Sequence, residues 1–351
     1  TMTKLPEINT QFLLDFLTKL LNTPSPTGFA EPAIAFTGQT LKAIPGVRLE
    51  RTRKGALLAT LEGEQDDGAL ALTGHVDTLG GMVKEIKSNG RLKMTRIGGY
   101  QWNTIEGEGC TVYTRGGRQV RGSILLTKAS SHVFGGETGE MKRDEDSLEV
   151  RLDARTTSEL ETLDLGIDIG DFIVFDPRVE MNAGFVRSRH LDDKAGVAAL
   201  VTAIKALADG GIQPRKKAHF LVSNYEEVGH GAAAGLPDDL ESLLAVDMAA
   251  VGEGQNSDEF HASLCVKDSG GPYHHRFSTR LRELAEKYNI AHKVDIYPFY
   301  GSDAEAWWRA GGEAPVALIG PGLDASHNYE RTHTEALLAT TKWVLAYLLE
   351  E

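Results

Sequence analysis

Cysteine is nearly absent: Cys110 and Cys265 are the only two, far apart in the chain and outside any Cys-x-x-Cys spacing. That excludes a disulfide framework and a cysteine-built zinc site, and it fits a reducing compartment. Positive charge is also scarce, with 37 Lys and Arg against 50 Asp and Glu and a formal net charge of −13. This counts against a nucleic-acid backbone or an anionic membrane as the main partner. Long apolar runs are missing as well. Nothing approaches the ~18 residues of a membrane span, and the opening Thr1-Met2-Thr3-Lys4-Leu5-Pro6 lacks the apolar segment of a secretion signal. The expectation is a cytoplasmic protein.

What is present reads as an ordinary globular chain, 41% hydrophobic and 25% charged. Its 351 residues leave room for two domains, since single cores stop growing near ~250–300 residues. Asn9 or Thr10 can cap a helix whose apolar face is Phe12, Leu13, Phe16, Leu17, Leu20 and Leu21. Thr23-Pro24-Ser25-Pro26-Thr27-Gly28 stops it. Residues 56–61 and 69–73 read as two strands joined by a turn, the second leading into Gly74-His75-Val76-Asp77. From Thr78 to about Val179, glycine pairs punctuate short alternating segments, the texture of half-buried β structure with a helical pattern only near 158–165. After Arg189 an α/β rhythm returns: a helix over 194–207, strands at 218–223 and 243–247, a helix around Phe277, Leu281, Leu284 and Tyr288, a strand at 315–319, and a helix over 335–349. The fold class that follows is α/β, a mixed or parallel sheet covered by helices on both faces, interrupted by a smaller β domain. The expected division is 1–77 with 180–351 as a discontinuous catalytic domain, and 78–179 as the insertion.

In such sheets ligands bind beyond the carboxyl ends of the strands. The polar residues there are His75 and Asp77, Asp192-Asp193, Glu226-Glu227, Asp247 and His327. Each has a plain explanation when taken singly. A His-x-Asp pair is often a structural hydrogen bond, Asp192-Asp193 can cap a helix, paired glutamates are usually solvated, and Asp247 can form a turn. Together, two imidazoles and three carboxylates at neighbouring strand ends form a nitrogen and oxygen donor set suited to zinc, cobalt or manganese. Asp77, two residues from His75, suits an orienting acid. Adjacent glutamates can divide labour, one binding an ion and the other taking a proton from water.

These motifs resemble the tetrahedral (TET) and glutamyl aminopeptidases, dinuclear metallopeptidases sometimes also labelled endoglucanases. The anchors are Gly74-His75-Val76-Asp77, Gly81-Met82-Val83-Lys84-Glu85-Ile86, Ile97-Gly98-Gly99, Leu191-Asp192-Asp193-Lys194-Ala195-Gly196, Glu226-Glu227-Val228-Gly229, Asp247, and Gly301-Ser302-Asp303-Ala304. They run through essentially the whole chain. The resemblance implies a zinc-peptidase-like sheet with an inserted β-barrel-like domain serving oligomerisation or substrate access. It implies two divalent ions per subunit, zinc foremost with cobalt or manganese as alternatives: His75 and Asp247 on one, Asp192 bridging, Glu227 and His327 on the other. Glu226 becomes the general base and Asp77 the orienting acid, and the Asp192–Asp193 peptide is expected to be cis. A homo-oligomer, from dimer to dodecamer, is implied as well.

The chain departs from that pattern at three places. Thr78 stands where many relatives are acidic, His230 occupies a usually apolar or basic position, and the last ligand segment reads Ala325-Ser326-His327-Asn328-Tyr329-Glu330-Arg331-Thr332-His333 instead of a His-Ser-Pro stretch. His327, eight residues beyond Ile319, matches the family's strand-to-ligand spacing; His333 is the competing ligand. That tail also looks like a branch associated with an osmoprotectant dipeptide amide. His274, His275 and Arg276 read as a helix cap or surface, and Trp307-Trp308 as core and interface. The leading expectation is a metal-dependent aminopeptidase acting on short peptides. Its alternative is an N-acyl dipeptide amidohydrolase on a modified dipeptide. A glycosidase is disfavoured because adjacent glutamates cannot flank a bond at ~5–9.5 Å, and a non-catalytic scaffold leaves the intact donor set unexplained.

Overall fold

The computed structural model describes residues 4–351; Thr1, Met2 and Thr3, part of the opening stretch considered above for a leader, lie outside them. The chain divides into two compact units. One runs up to Asp77 and resumes over Val179–Glu351; the other is Thr78–Arg178.

The first unit is built on a ten-stranded mixed sheet whose main path is Arg48–Arg51, Leu57–Leu61, Lys216–Ser223, Gln65–His75, Leu240–Val246, Val316–Leu323, Ala262–Asp268 and Gly271–Pro272. Its four central strands are mutually parallel. Alternation along each central strand sends successive side chains to opposite faces. Leu70, Leu72, Leu244, Val246, Ala317 and Ile319 join the cluster formed with helices Thr10–Leu21, Leu191–Gly210 and Thr334–Glu350. Ala71, Leu243, Ala245, Val316 and Leu318 face the other way, with Ala304 of helix Asp303–Arg309. A sheet covered on both faces explains why its strands read as nearly continuous apolar runs.

Helix Thr10–Leu21 starts where Asn9 accepts the Phe12 amide at 2.9 Å, and it buries Leu13, Phe16, Leu17, Leu20 and Leu21. The two strands expected at 56–61 and 69–73 are present as Leu57–Leu61 and Gln65–His75. They are not neighbours: Lys216–Ser223 lies between them, antiparallel to the first and parallel to the second. A parallel pairing needs a long crossover and leaves no local signal, so this strand order is not legible in the sequence.

In the second unit six strands close into a barrel in the order Gly80–Ile86, Leu92–Ile97, Leu148–Leu152, Gln119–Leu126, Gly109–Tyr113, Phe172–Phe175. Closure removes the unpaired edges that a sheet this small would otherwise expose. Val83, Leu92, Met94, Val112, Ile124, Val150 and Ile173 fill its interior. Cys110 and Cys265 are both buried and unpaired. No helix among the described residues is long and apolar enough to cross a membrane.

Candidate metal centre

The parallel register brings several strand ends to one edge. Ser223 lies opposite His75, Ala245 opposite Thr73, and Val246 opposite Ile319. The residues just beyond those ends are therefore neighbours in space: His75, the Tyr225–Glu227 turn and Asp247. Asp192 enters from the start of helix Leu191–Gly210, where Asp192 and Asp193 have non-helical backbone angles and share a cis peptide. His327 comes from the loop that follows Val316–Leu323.

Two three-residue groups result, each with donor atoms within 4.8 Å of one another: His75, Asp192 and Asp247, and Asp192, Glu227 and His327. Asp192 belongs to both. Its Oδ1 is 3.1 Å from His75 Nε2 and its Oδ2 is 3.2 Å from His327 Nε2. Glu227 Oε2 lies 3.5 Å from His327, and Asp247 Oδ2 lies 4.0 Å from His75. Glu226 Oε2 is 3.5 Å from His75 Nε2 and belongs to neither group. The two sides differ in depth. The His75 side chain is 1% exposed and the His327 side chain 37%, so the site opens to solvent on the His327 side.

Asp77 does more than face His75. The short contact to His75 Nδ1 comes from the Asp77 carbonyl oxygen at 2.9 Å, with the carboxylate at 3.6 Å. The carboxylate itself accepts the Thr27 hydroxyl at 2.6 Å and the backbone N–H groups of Glu226 and Glu227 at 3.2 and 3.3 Å. It thus fixes the turn that carries both glutamates. Asp193 combines the capping role with support of the site, accepting Gly196 N–H at 3.1 Å and His75 N–H at 3.2 Å.

Close backbone approach makes this edge intolerant of added atoms. A Cβ at Gly196 would sit 2.2 Å from Asp193 Oδ1 and 2.4 Å from the Val246 carbonyl oxygen. Overpacking of this kind costs about 1–3 kcal/mol, and more where backbone must move. Gly196→Ala is expected to lower the unfolding free energy of the metal-free protein by at least that amount, read as a lower denaturant midpoint, and an unchanged midpoint contradicts the close packing.

The electrostatics follow from crowding acids in a buried pocket. Burial pushes Glu226 well above the usual carboxylate range, and the charges of Asp247, Asp303 and Glu227 add to this against the opposing effect of His75. Glu227 and Asp193 are raised for similar reasons, and Asp247 is pushed up to about 7 by burial and the Asp192 charge. Asp192 behaves oppositely: burial alone would raise it, but hydrogen bonds from His327 and His75 hold it well below the ordinary range. Burial alone would lower the two histidines. The surrounding carboxylates outweigh it, holding His75 well above the imidazole range and His327 at about 11.

His333, the competing ligand, is elsewhere. Its Nδ1 accepts Glu335 N–H at 3.2 Å at the start of helix Thr334–Glu350, and its Nε2 is 3.4 Å from the Ala183 carbonyl oxygen. His274 likewise caps a helix, accepting Phe277 N–H at 3.4 Å. Trp307 packs against the cluster on the second face of the sheet. His230 stacks on Tyr225, ring centroids 5.3 Å apart, and Lys54 donates to the His230 and Gly231 carbonyls, so the unusual histidine helps brace the glutamate turn.

Three supporting residues carry no clear signal in the sequence. Thr27 lies in what reads only as a helix stop. Asp303 stands in a quoted motif without a role; it is buried and accepts from Thr73 Oγ1 at 2.9 Å, Ser223 Oγ and Ala232 N–H at 2.7 Å, tying two central strands beneath the site. Glu330 is one more acid in a polar tail. Its carboxylate reaches the Asp192 and His327 amides.

Comparison with known proteins agrees in one direction. Residues 55–343 match the family described as M42 glutamyl aminopeptidase. The chain is 45% identical to the putative aminopeptidase YhfE of Bacillus subtilis over 336 residues, covering 95% of this chain and 96% of that one. Among solved structures it resembles the TET1 peptidase of Pyrococcus horikoshii, described as assembling into a tetrahedron or a large octahedral shell, with a TM-score of 0.83, 23% identity, and coverage of 97% of this chain and 100% of that one. It also resembles the aminopeptidase APDkam598 of Desulfurococcus kamchatkensis, with a TM-score of 0.86, 21% identity, and coverage of 97% and 96%. At these identities the structural likenesses establish the fold.

Proposed function

Because the chain belongs to the M42 glutamyl aminopeptidase family, we propose that it is a dinuclear metallo-aminopeptidase that removes N-terminal residues from short peptides. The observation that carries this reading is the pair of donor groups sharing Asp192. The donor chemistry fits two borderline divalent ions, zinc foremost with cobalt or manganese as alternatives: two imidazoles, three carboxylates and no thiolate. Burial, with mutual repulsion added to it, raises Glu226, Glu227 and Asp247, a direction that divalent cations would oppose.

In this reading His75 and Asp247 would hold one ion and Glu227 and His327 the other, with Asp192 available to both. When bound, such ions would supply Lewis-acid polarisation and electrostatic stabilisation of developing negative charge. The chain's own residues do the rest. Glu226 takes a proton from the attacking water at its carboxylate and returns it to the leaving amine. Asp77 keeps Glu226 and Glu227 in register through their amides, and its carbonyl oxygen sets the orientation of His75. Opening on the His327 side gives the peptide its approach.

A homo-oligomer, from dimer to dodecamer, belongs to the same proposal. Its support is the assemblies of the TET1 relative and apolar side chains left exposed, Phe299 at 95% foremost. The Thr78–Arg178 barrel is the part assigned to oligomerisation or substrate access. A cytoplasmic location agrees with two buried free cysteines.

The test is an aminoacyl-anilide panel read with and without a chelator. Hydrolysis of free-amino substrates that falls to background with chelator and returns with a divalent ion is expected. Cleavage confined to N-acylated dipeptides moves the reading to an amidohydrolase, and chelator-insensitive release of sugar overturns it.

A further inference from the structure

The metal-centre reading accounts for seven acids and imidazoles but leaves Glu330 without a task, although it is 2% exposed and within reach of two of the donors. Its Oε2 accepts the Asp192 N–H at 3.1 Å and its Oε1 accepts the His327 N–H at 3.0 Å. These two residues come from distant parts of the chain and meet across the centre, His327 Nε2 lying 3.2 Å from Asp192 Oδ2. Among the described residues no Lys or Arg forms an ion pair with Glu330.

The surrounding backbone explains why such a clamp is needed. Strand Glu330–His333 pairs antiparallel with Phe185–Ser188, Glu330 opposite Ser188, so Glu330 is anchored to the strand that runs into the Asp192 turn. The loop bearing His327 is closed at its base by reciprocal backbone bonds between Asp324 and Arg331 at 2.9 and 3.1 Å. Within it Ala325 and His327 both take left-handed backbone angles, φ 58° and 62°. For residues other than glycine that conformation is strained. It persists only where surrounding contacts over-determine it, and the bond from the His327 amide to Glu330 is such a contact.

We propose that Glu330 is the positioning residue of the second ion site, clamping the His327 loop to the Asp192 turn through one carboxylate that accepts both backbone amides. The assignment rests on the dinuclear reading. A carboxylate is required because each oxygen must accept; a carboxamide would turn an N–H donor toward one of the two amides and lose that bond. Partners behind a metal ligand typically change ion affinity by about 10–100-fold when removed.

The experiment is a calorimetric titration of the metal-free full-length protein with Zn²⁺ and with Co²⁺, the latter also followed by visible absorption. Wild type, Glu330→Gln, His327→Ala and the double variant are compared, with a thermal melt of each metal-free form. Wild type should bind two ions. Glu330→Gln should weaken, by about 10–100-fold, the same step that His327→Ala removes, while the other step moves less than threefold. The double variant should lose no more than His327→Ala alone, since the two residues act as a unit. Unchanged steps in Glu330→Gln overturn the clamp while leaving the dinuclear reading intact. Equal weakening of both steps, or failure of the variant to fold, also overturns it, because Glu330 would then support the fold at large. A wild type that binds fewer than two ions overturns the dinuclear reading and the clamp with it.

Discussion

Glu226→Gln is expected to lose turnover by about 10²–10⁴-fold, the usual contribution of a general base, while its ion content stays at the wild-type level. Glu226 stands 3.5 Å from His75 yet outside both donor groups, and its backbone is held by Asp77 through the N–H. Glutamine preserves size and that backbone bond and removes only the ability to take a proton. The loss should appear in kcat with KM nearly constant, because substrate contacts are unchanged. The pH profile offers an independent readout. Burial and neighbouring acids raise the proton affinity of Glu226 in the metal-free protein, and bound ions would oppose that raise; a base works only when deprotonated, so the wild-type rate falls as pH drops through the Glu226 titration. The residual rate of the glutamine variant should lack this acid limb. A fully active variant with normal ion content would remove Glu226 from the mechanism.

Asp192→Asn should have the larger effect on the ions themselves. Asp192 is the one residue shared by both donor groups, and its two oxygens face the two histidines at 3.1 and 3.2 Å. An amide of the same shape keeps one oxygen and loses the charge. Affinity for both ions is expected to fall by more than the ~100-fold upper range seen when only an outer partner is removed, and hydrolysis should fall to background. Proton release gives a second measure. His327 is held at about 11 and His75 well above the imidazole range by the carboxylates around them, so both carry protons at pH 7 in the metal-free protein. Ion binding needs neutral imidazole and must expel those protons; apparent affinity therefore rises with pH. Without the Asp192 charge both histidines titrate lower, and fewer protons are released at pH 7. Calorimetry in buffers of different ionisation enthalpy counts them. An Asn variant that keeps both ions at wild-type affinity contradicts the bridging role.

Most of the candidate donors are legible in the sequence because they sit at or just beyond a strand or helix end, where a polar residue interrupts an apolar run. His75 closes one run and Asp247 another, and Asp192-Asp193 open the longest helix. The neighbours of those runs were not visible. Lys216–Ser223 separates Leu57–Leu61 from Gln65–His75 through a long crossover that contains the whole barrel unit, and no local pattern encodes that order. The supporting shell was equally hidden. Thr27, Asp303 and Glu330 act through hydrogen bonds that reach groups far away in sequence, and an isolated acid or threonine carries no periodicity to mark it. His327 and His333 could be separated only by the backbone, which turns the first into the cluster and uses the second to start a helix.

The centre gathers its donors from the ends of neighbouring strands, from the first turn of the central helix and from the loop anchored by Glu330. Ions seated there would act as a strap across the edge of the sheet, and their binding free energy would enter the unfolding equilibrium of the whole unit. By mass action that is about 4 kcal/mol for one ion at a thousandfold excess over its Kd, a large share of the 5–15 kcal/mol that typically separates folded from unfolded chains. Metal supply would then govern abundance as well as activity: a starved protein opens more often, and proteases clear it sooner.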